Sequence, residues 1–160
     1  MGIGAREDWL RGAHAQLESL AGKPLPPLHQ HWRERQHLIM PNIELIRALR
    51  PAYKTAVLSN ADSSLPQRLR EIGIHDLFDV VICSAEVGLA KPEPRIYAIA
   101  AEQIGLPPAE CVFIDDLEAN VQAARDAGMR GVWFRIDRDD KLEEQLRALG
   151  VSGQSDMLRA

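Results

Sequence analysis

Apolar and polar positions along the chain follow two different patterns. In residues 1–40 the recurring pattern is helical. Over 6–21, Trp9, Ala13, Leu17 and Leu20 are spaced three or four apart and Gly22 follows as a stop, which predicts an amphipathic helix. Lys23-Pro24-Leu25-Pro26-Pro27 reads as a stiff loop. Residues 28–40 read as a second helix that Pro41 ends. No strand pattern occurs in this stretch.

From residue 42 onward, short apolar runs alternate with capped helical stretches. The runs at 53–59 (YKTAVLS), 79–84 (DVVICS), 111–115 (CVFID) and 131–136 (GVWFRI) predict strands. Helices are predicted over 42–50 with Asn42 as cap, from Ser63 or Ser64 to 72, over 94–104, over 117–127 and over 142–149. Gly73, Gly105 and Gly128 close three of them. Residues 151–160 read as a loose tail. This alternation predicts βαβ units: an α/β fold with a parallel sheet and helices on both faces. Residues 41–150 would form that core and 1–40 a separate helical segment. In such sheets, ligands bind beyond the carboxyl ends of the strands.

The residues at those ends carry chemistry. Ser59-Asn60 follows the first strand. Gly88-Leu89-Ala90-Lys91-Pro92-Glu93-Pro94 follows the second. Asp115-Asp116 closes the third. Two adjacent carboxylates at a strand terminus offer hard oxygen ligands that suit Mg²⁺. Ser59, Asn60 and nearby backbone N–H groups can hold an oxyanion, and Lys91 supplies a point positive charge. Taken singly, each has a structural reading: Ser59 as a helix cap, Lys91 as a solvated loop residue, the acids as charges at the next helix N-terminus. Together at one edge they describe an Mg²⁺-assisted phosphoryl site.

Composition narrows the classes. The chain has 160 residues, an apolar fraction of 46% and a formal net charge of −4. That argues against a nucleic-acid or membrane-surface protein held by bulk charge. No apolar run approaches the roughly 18 residues of a membrane span, and the first ten residues lack the apolar core of a signal peptide. Cys83 and Cys111 sit inside apolar runs and read as two buried thiols in a reducing, cytoplasmic setting. His29, His31 and His37 have spacings that do not bring all three to one helical face, so they read as solvated residues.

The strings LSN at 58–60, SAEVGLAKPEPRIY at 84–97 and CVFIDDLEANVQAARDAGM at 111–129 resemble the second, third and fourth motifs of the haloacid dehalogenase-like superfamily. The nearest likeness is to the subfamily of the N-terminal phosphatase domain of soluble epoxide hydrolase and of small glucose-1-phosphate phosphatases. The resemblance implies a Rossmann-type core with a partial helical cap in residues 1–40. It implies Ser59 as the hydroxyl that binds the transferring phosphoryl group and Asn60 as its neighbouring substrate contact. Lys91 would steady nucleophile and phosphate, with the Lys91–Pro92 bond often cis in relatives. Asp116 would be the Mg²⁺ ligand, with Asp115 supporting the metal directly or through water.

The first motif of that family, a strand ending in the nucleophilic aspartate, has no counterpart before residue 53. Asp137-Arg138-Asp139 has the DxD form but follows the last strand and runs into a charged helix. The missing strand would be the middle one of the sheet, between the 53–59 and 111–115 strands. Its loss would leave these two paired with each other or exposed as edges, and an exposed edge favours association into homo-oligomers. The reading is a truncated Mg²⁺-dependent phosphatase acting on a small phosphorylated metabolite. The alternatives are a non-catalytic phosphate-binding or regulatory protein and, behind it, a metal-free dehalogenase.

Overall fold

The computed structural model describes residues 3–26, 38–50 and 52–153. The chain divides into two compact units, 1–39 and 40–160. In the first, helix α1 spans Ile3–Ala21 and Gly22 follows it at φ 64°. Glu18 Oε1 accepts the Leu25 backbone N–H at 3.0 Å, folding the Pro-rich segment back onto the helix end. Leu17 and Leu20 of the predicted stripe are exposed, Leu20 at 85%. The expected helix over 28–40 and the three histidines fall on or next to residues 27–37, outside the described residues.

The second unit runs α2 (Met40–Leu49), β1 (Ala56–Ser59), α3 (Leu65–Glu71), β2 (Val80–Cys83), α4 (Ser84–Val87), α5 (Pro94–Ile104), β3 (Val112–Asp115), α6 (Glu118–Asp126), β4 (Arg130–Trp133) and α7 (Leu142–Ala148). Two starts differ from the sequence reading. Pro41 sits in the first turn of α2 rather than ending a helix; its fixed φ suits that position and its missing N–H costs nothing there. The start of α3 is organised by Asp62, whose carboxylate accepts the Ser64 N–H at 3.0 Å, while the Ser64 side chain makes no cap bond to the helix.

All strand pairing is parallel, as expected, but the strands form two sheets. β1 pairs with β2 from Ala56↔Val80 to Ser59↔Cys83, and β3 pairs with β4 from Val112↔Arg130 to Asp115↔Trp133. β1 and β3 are not paired with each other. Among the described residues, β1 and β3 each pair along one edge only. The two half-sheets still share one frame. On one face, Leu58 of β1 and Phe113 of β3 pack in a single cluster with Ile96, Tyr97 and Ala101 of α5. On the other, α2 places Ile43 with Leu65, Leu69 and Cys83, and Leu49 with Val132, Leu142 and Leu146. Helices α2 and α5 thus bridge what hydrogen bonds do not.

Of the two thiols, Cys83 is buried and Cys111 half-buried; both are free. The partial exposure of Cys111 corrects the expectation of two buried thiols: it stands just before β3, its carbonyl accepting the Arg130 N–H at 3.0 Å.

β4 and α6 approach closely at Gly131. A Cβ on Gly131 would stand 2.8 Å from Val121 Cγ1 and 2.9 Å from Arg125 Cγ. Val121 is fully buried and has no room to yield. Gly131→Ala is therefore expected to destabilise the fold by about 1–3 kcal/mol. A thermal melt should show Tm several degrees lower; an unchanged Tm would contradict the close approach.

Candidate active site

The site forms where β1 and β3 end. Ser59, the last residue of β1, is half-buried, and Asn60 follows on the surface. The Asn60 amide is committed at both ends to the backbone of Lys91. It donates from Nδ2 to the Lys91 carbonyl at 2.9 Å and accepts the Lys91 N–H on Oδ1 at 2.8 Å. This reciprocal pair fixes the loop carrying Lys91 against the end of β1. The Lys91–Pro92 bond is cis. Ser84 strengthens the same junction: its hydroxyl accepts the Ala61 N–H at 3.1 Å and donates to the Ala61 carbonyl at 3.2 Å.

So held, Lys91 turns its side chain inward. Its Nζ lies 2.6 Å from Asp115 Oδ2 and 5.5 Å from the Phe113 ring centroid. The two side chains are only 11% and 7% exposed. The other oxygen of Asp115 accepts the Leu117 N–H and the Asn120 Nδ2–H, each at 2.9 Å. Burial pushes the Asp115 carboxyl up, but the hydrogen bonds from Lys91, Leu117 and Asn120 and the charge of Lys91 outweigh it. The net pKa is below the ordinary value of 3.8. An ammonium has three donors; one is spent on Asp115, and two remain for a ligand.

Asp116 differs from its neighbour. Its carboxylate is exposed and takes no hydrogen bond from a described residue. Its backbone is fixed, because Trp133 Nε1 donates to the Asp116 carbonyl at 2.9 Å. The Trp133 ring is in turn covered by Arg138 at 4.7 Å and Arg135 at 5.5 Å.

The structure joins Asn60, Lys91 and Asp115 in direct contact, with Ser59 and Asp116 next to them in the chain. Their expected roles separate. Both oxygens of Asp115 are engaged, so the carboxylate open to a metal is that of Asp116. Among the described residues, no group of three or more His, Cys, Asp or Glu stands together as a metal cluster. Mg²⁺ is commonly held by one or two carboxylates with waters and substrate phosphate, and Asp116 fits that as one donor. Asp137 pairs with Arg135, and Asp139 with Lys141 at 2.8 Å; the DxD string belongs to a surface turn.

Sequence reasoning did not single out Asn120, Tyr97 or Trp133. Asn120 is the one buried polar residue among those described. Its carbonyl accepts the Tyr97 hydroxyl at 2.9 Å, and Tyr97 meets Phe113 edge to face at 5.1 Å. Burial, then the charge of Asp115, push the Tyr97 phenol up to about 12. The signal for Asn120 was an amide beside Val121 and Ala124 on the buried face of α6.

Removing one partner of a buried pair strands the other charge, so Lys91→Met or Asp115→Ala alone should cost about 3–5 kcal/mol. The double variant should cost less than the sum, read as a double-mutant cycle by urea unfolding; additive losses would refute the coupling. The pH sign follows from the depressed Asp115 carboxyl. Its stabilisation is fully present above the unfolded value of about 4 and is lost as pH falls through the lower folded value. In Asp115→Asn, that acid-side loss should shrink.

A profile of haloacid dehalogenase-like hydrolases matches residues 4–128. The phosphatase MT3486 of Mycobacterium tuberculosis is 38% identical over 67% of this chain, which spans 51% of that protein. Bifunctional epoxide hydrolase 2 of Sus scrofa is 36% identical over 62% of this chain and 19% of its own length. The chain thus spans about half of the first relative and a smaller part of the second. Among solved structures, a HAD family enzyme from Bacteroides thetaiotaomicron, crystallised with magnesium and inorganic phosphate, matches at TM-score 0.65. It covers 86% of this chain and 74% of its own, at 22% identity, a likeness of fold alone. With three motifs at the strand ends, parallel half-sheets between helices and a profile match over most of its length, the chain belongs to the haloacid dehalogenase-like hydrolase family.

Proposed function

We propose that the chain carries the phosphate- and metal-binding part of an Mg²⁺-dependent phosphatase acting on a small phosphorylated metabolite. The observation that carries this reading is the Lys91 ammonium, locked on Asp115 where the ends of β1 and β3 meet, with the Ser59 hydroxyl and the open Asp116 carboxylate at those same ends. Ser59 donates to a phosphoryl oxygen, and Lys91 offers its two unspent N–H groups. Asn60 acts through the Lys91 backbone as a positioning residue. Asp116 holds the metal and Asp115 supports it through water. Mg²⁺, when bound, offsets phosphoryl charge and orients the group for in-line attack.

In the complete enzyme, an aspartate oxygen bonds to phosphorus as the bond to the substrate oxygen breaks, and the leaving oxygen takes a proton. Water then hydrolyses the aspartyl-phosphate to carboxylate and inorganic phosphate. Of the described strand ends, Ser59, Cys83, Asp115 and Trp133, Asp115 alone is a carboxylate, and both its oxygens are engaged by Lys91, Leu117 and Asn120. The same observation favours a second reading, a regulatory protein that binds phosphate without turning it over. A metal-free dehalogenase fits less well, since the site presents an acidic pair. Two free cysteines suit a reducing cytoplasm. No described helix is long and apolar enough to cross a membrane.

Titration calorimetry of Mg²⁺ with inorganic phosphate tests the reading. Asp116→Asn and Ser59→Ala should each weaken binding at least about tenfold, the scale of one charge-assisted contact, with circular dichroism unchanged. Equal affinity in wild type and Asp116→Asn would remove the metal role. Metal-dependent hydrolysis of p-nitrophenyl phosphate by the 160-residue chain alone would place the attacking carboxylate within it and overturn the division proposed above.

A further inference from the structure

The Asp116 carboxylate takes no hydrogen bond from a described residue, so its aim is set by its backbone. A residue has two soft backbone dihedrals, one toward each flanking peptide plane. Both planes beside the Asp116 Cα are held. The plane before it is tied to β4, because the Asp115 carbonyl accepts the Phe134 N–H at 3.1 Å. The plane after it is tied at both of its polar atoms. Its carbonyl oxygen accepts the Trp133 Nε1–H at 2.9 Å, and its N–H, that of Leu117, donates to Asp115 Oδ1 at 2.9 Å. With both planes held, the direction of the Asp116 Cα–Cβ bond is fixed, and its side-chain torsions alone stay free.

These three ties differ in origin. The Phe134 bond closes the β3–β4 ladder at Asp115↔Trp133. The Leu117 bond belongs to the network around the Lys91–Asp115 pair. The third comes from a side chain that reaches from β4 to a main-chain carbonyl. In an extended strand, successive carbonyls point to opposite sides. Here the Asp115 and Asp116 carbonyls both meet β4, so the chain turns at Asp116, and the indole holds that turn. The indole is itself held. Its half-buried ring is covered by the guanidiniums of Arg138, 4.7 Å from its centroid, and Arg135, 5.5 Å away. Arg135 is anchored in turn: its backbone N–H donates to Asp140 Oδ2 at 2.7 Å and its side chain pairs with Asp137. A phenyl ring would offer the guanidiniums a similar face. Only the indole adds a donor.

We propose that Trp133 is a positioning residue of the metal site. Its indole N–H sets the backbone of Asp116 and so aims the Asp116 carboxylate, while Arg138 and Arg135 keep the indole in place. The inference rests on the Mg²⁺ reading above and adds to it a residue that acts only through Asp116. Contacts that orient a metal ligand from outside are worth about 10–100-fold in affinity. With two other ties in place, the loss of this one belongs at the lower end.

Trp133→Phe is the test, since it keeps a ring for the guanidiniums and removes the N–H. The full 160-residue chain is titrated with Mg²⁺ in the presence of inorganic phosphate by calorimetry. Trp133→Phe should weaken Mg²⁺ affinity about tenfold, with the urea midpoint unchanged. Replacing all three tryptophans by 5-fluorotryptophan, which keeps the N–H, should preserve the affinity. In metal-free protein, NMR should show the Trp133 indole N–H exchanging slowly with solvent. Arg138→Met, at an exposed position, should speed that exchange about two- to fivefold, the scale of one surface cation–π contact. An indole N–H that exchanges as fast as an exposed one would overturn the proposal whatever the metal does. A fall in affinity matched by a fall in the urea midpoint would also overturn it, since the ring would then serve the fold. If Asp116→Asn weakens Mg²⁺ binding and Trp133→Phe leaves it unchanged, the metal reading stands and only Trp133 is removed from it. A wild-type chain that takes up no Mg²⁺ would sink the metal reading and this inference with it.

Discussion

The ion pair between Lys91 and Asp115 is the constraint on which the site depends. Neither charge could be held so far from water alone, and among the described residues neither is seen with another ion-pair partner. Satisfying the pair requires the loop after α4 to cross to the end of β3. Asn60 provides that crossing by treating the Lys91 backbone as if it were a neighbouring strand. Asn120 and the Leu117 N–H then hold Asp115 from the other side. The result is a preorganised cation whose position is set by β1, β3 and α6 together. Asp116, one residue on, is left outside the network and open to solvent.

The alternation of short apolar runs with glycine-closed helices made the α/β class legible, because period and punctuation agree along residues 42–150. Helix α5 and the closing glycines at 73, 105 and 128 lie where the pattern placed them. Strands came out shorter than their apolar runs. At 53–55, for instance, the Thr55 N–H goes to the Asp79 carboxylate and its hydroxyl to the Leu77 carbonyl, and one backbone bond, from the Asp79 N–H to the Thr55 carbonyl at 2.8 Å, precedes the strand proper. Pro41 was misread because a proline ends one helix and starts another with the same ring, and only the downstream turn decides between them. The site residues were legible as types and positions. Their division of labour was not. That Asp115 is spent on Lys91 while Asp116 is open depends on which of two adjacent side chains points inward, and two like residues in a row carry no such information.

The split sheet shows which interactions hold this fold together in the absence of a continuous ladder. Two hydrophobic seams, one through α5 and one through α2, hold the half-sheets together. Backbone pairing then does its work only within each half. Side-chain packing is less directional than a hydrogen-bond ladder, so the pairing of strand edges is decided locally and the spacing of the halves by the helices.

That arrangement bears on how the chain reaches its native state. Each ladder joins strands that follow one another in sequence, β1 to β2 and β3 to β4, across one helical connection. Contacts of this kind have low contact order and close early, because little chain entropy is lost before they form. Pairing β1 with β3 would have asked for a longer closure across α3, β2, α4 and α5. Two locally closed modules packed together by helices thus describe a folding route that needs no long-range strand pairing among the described residues.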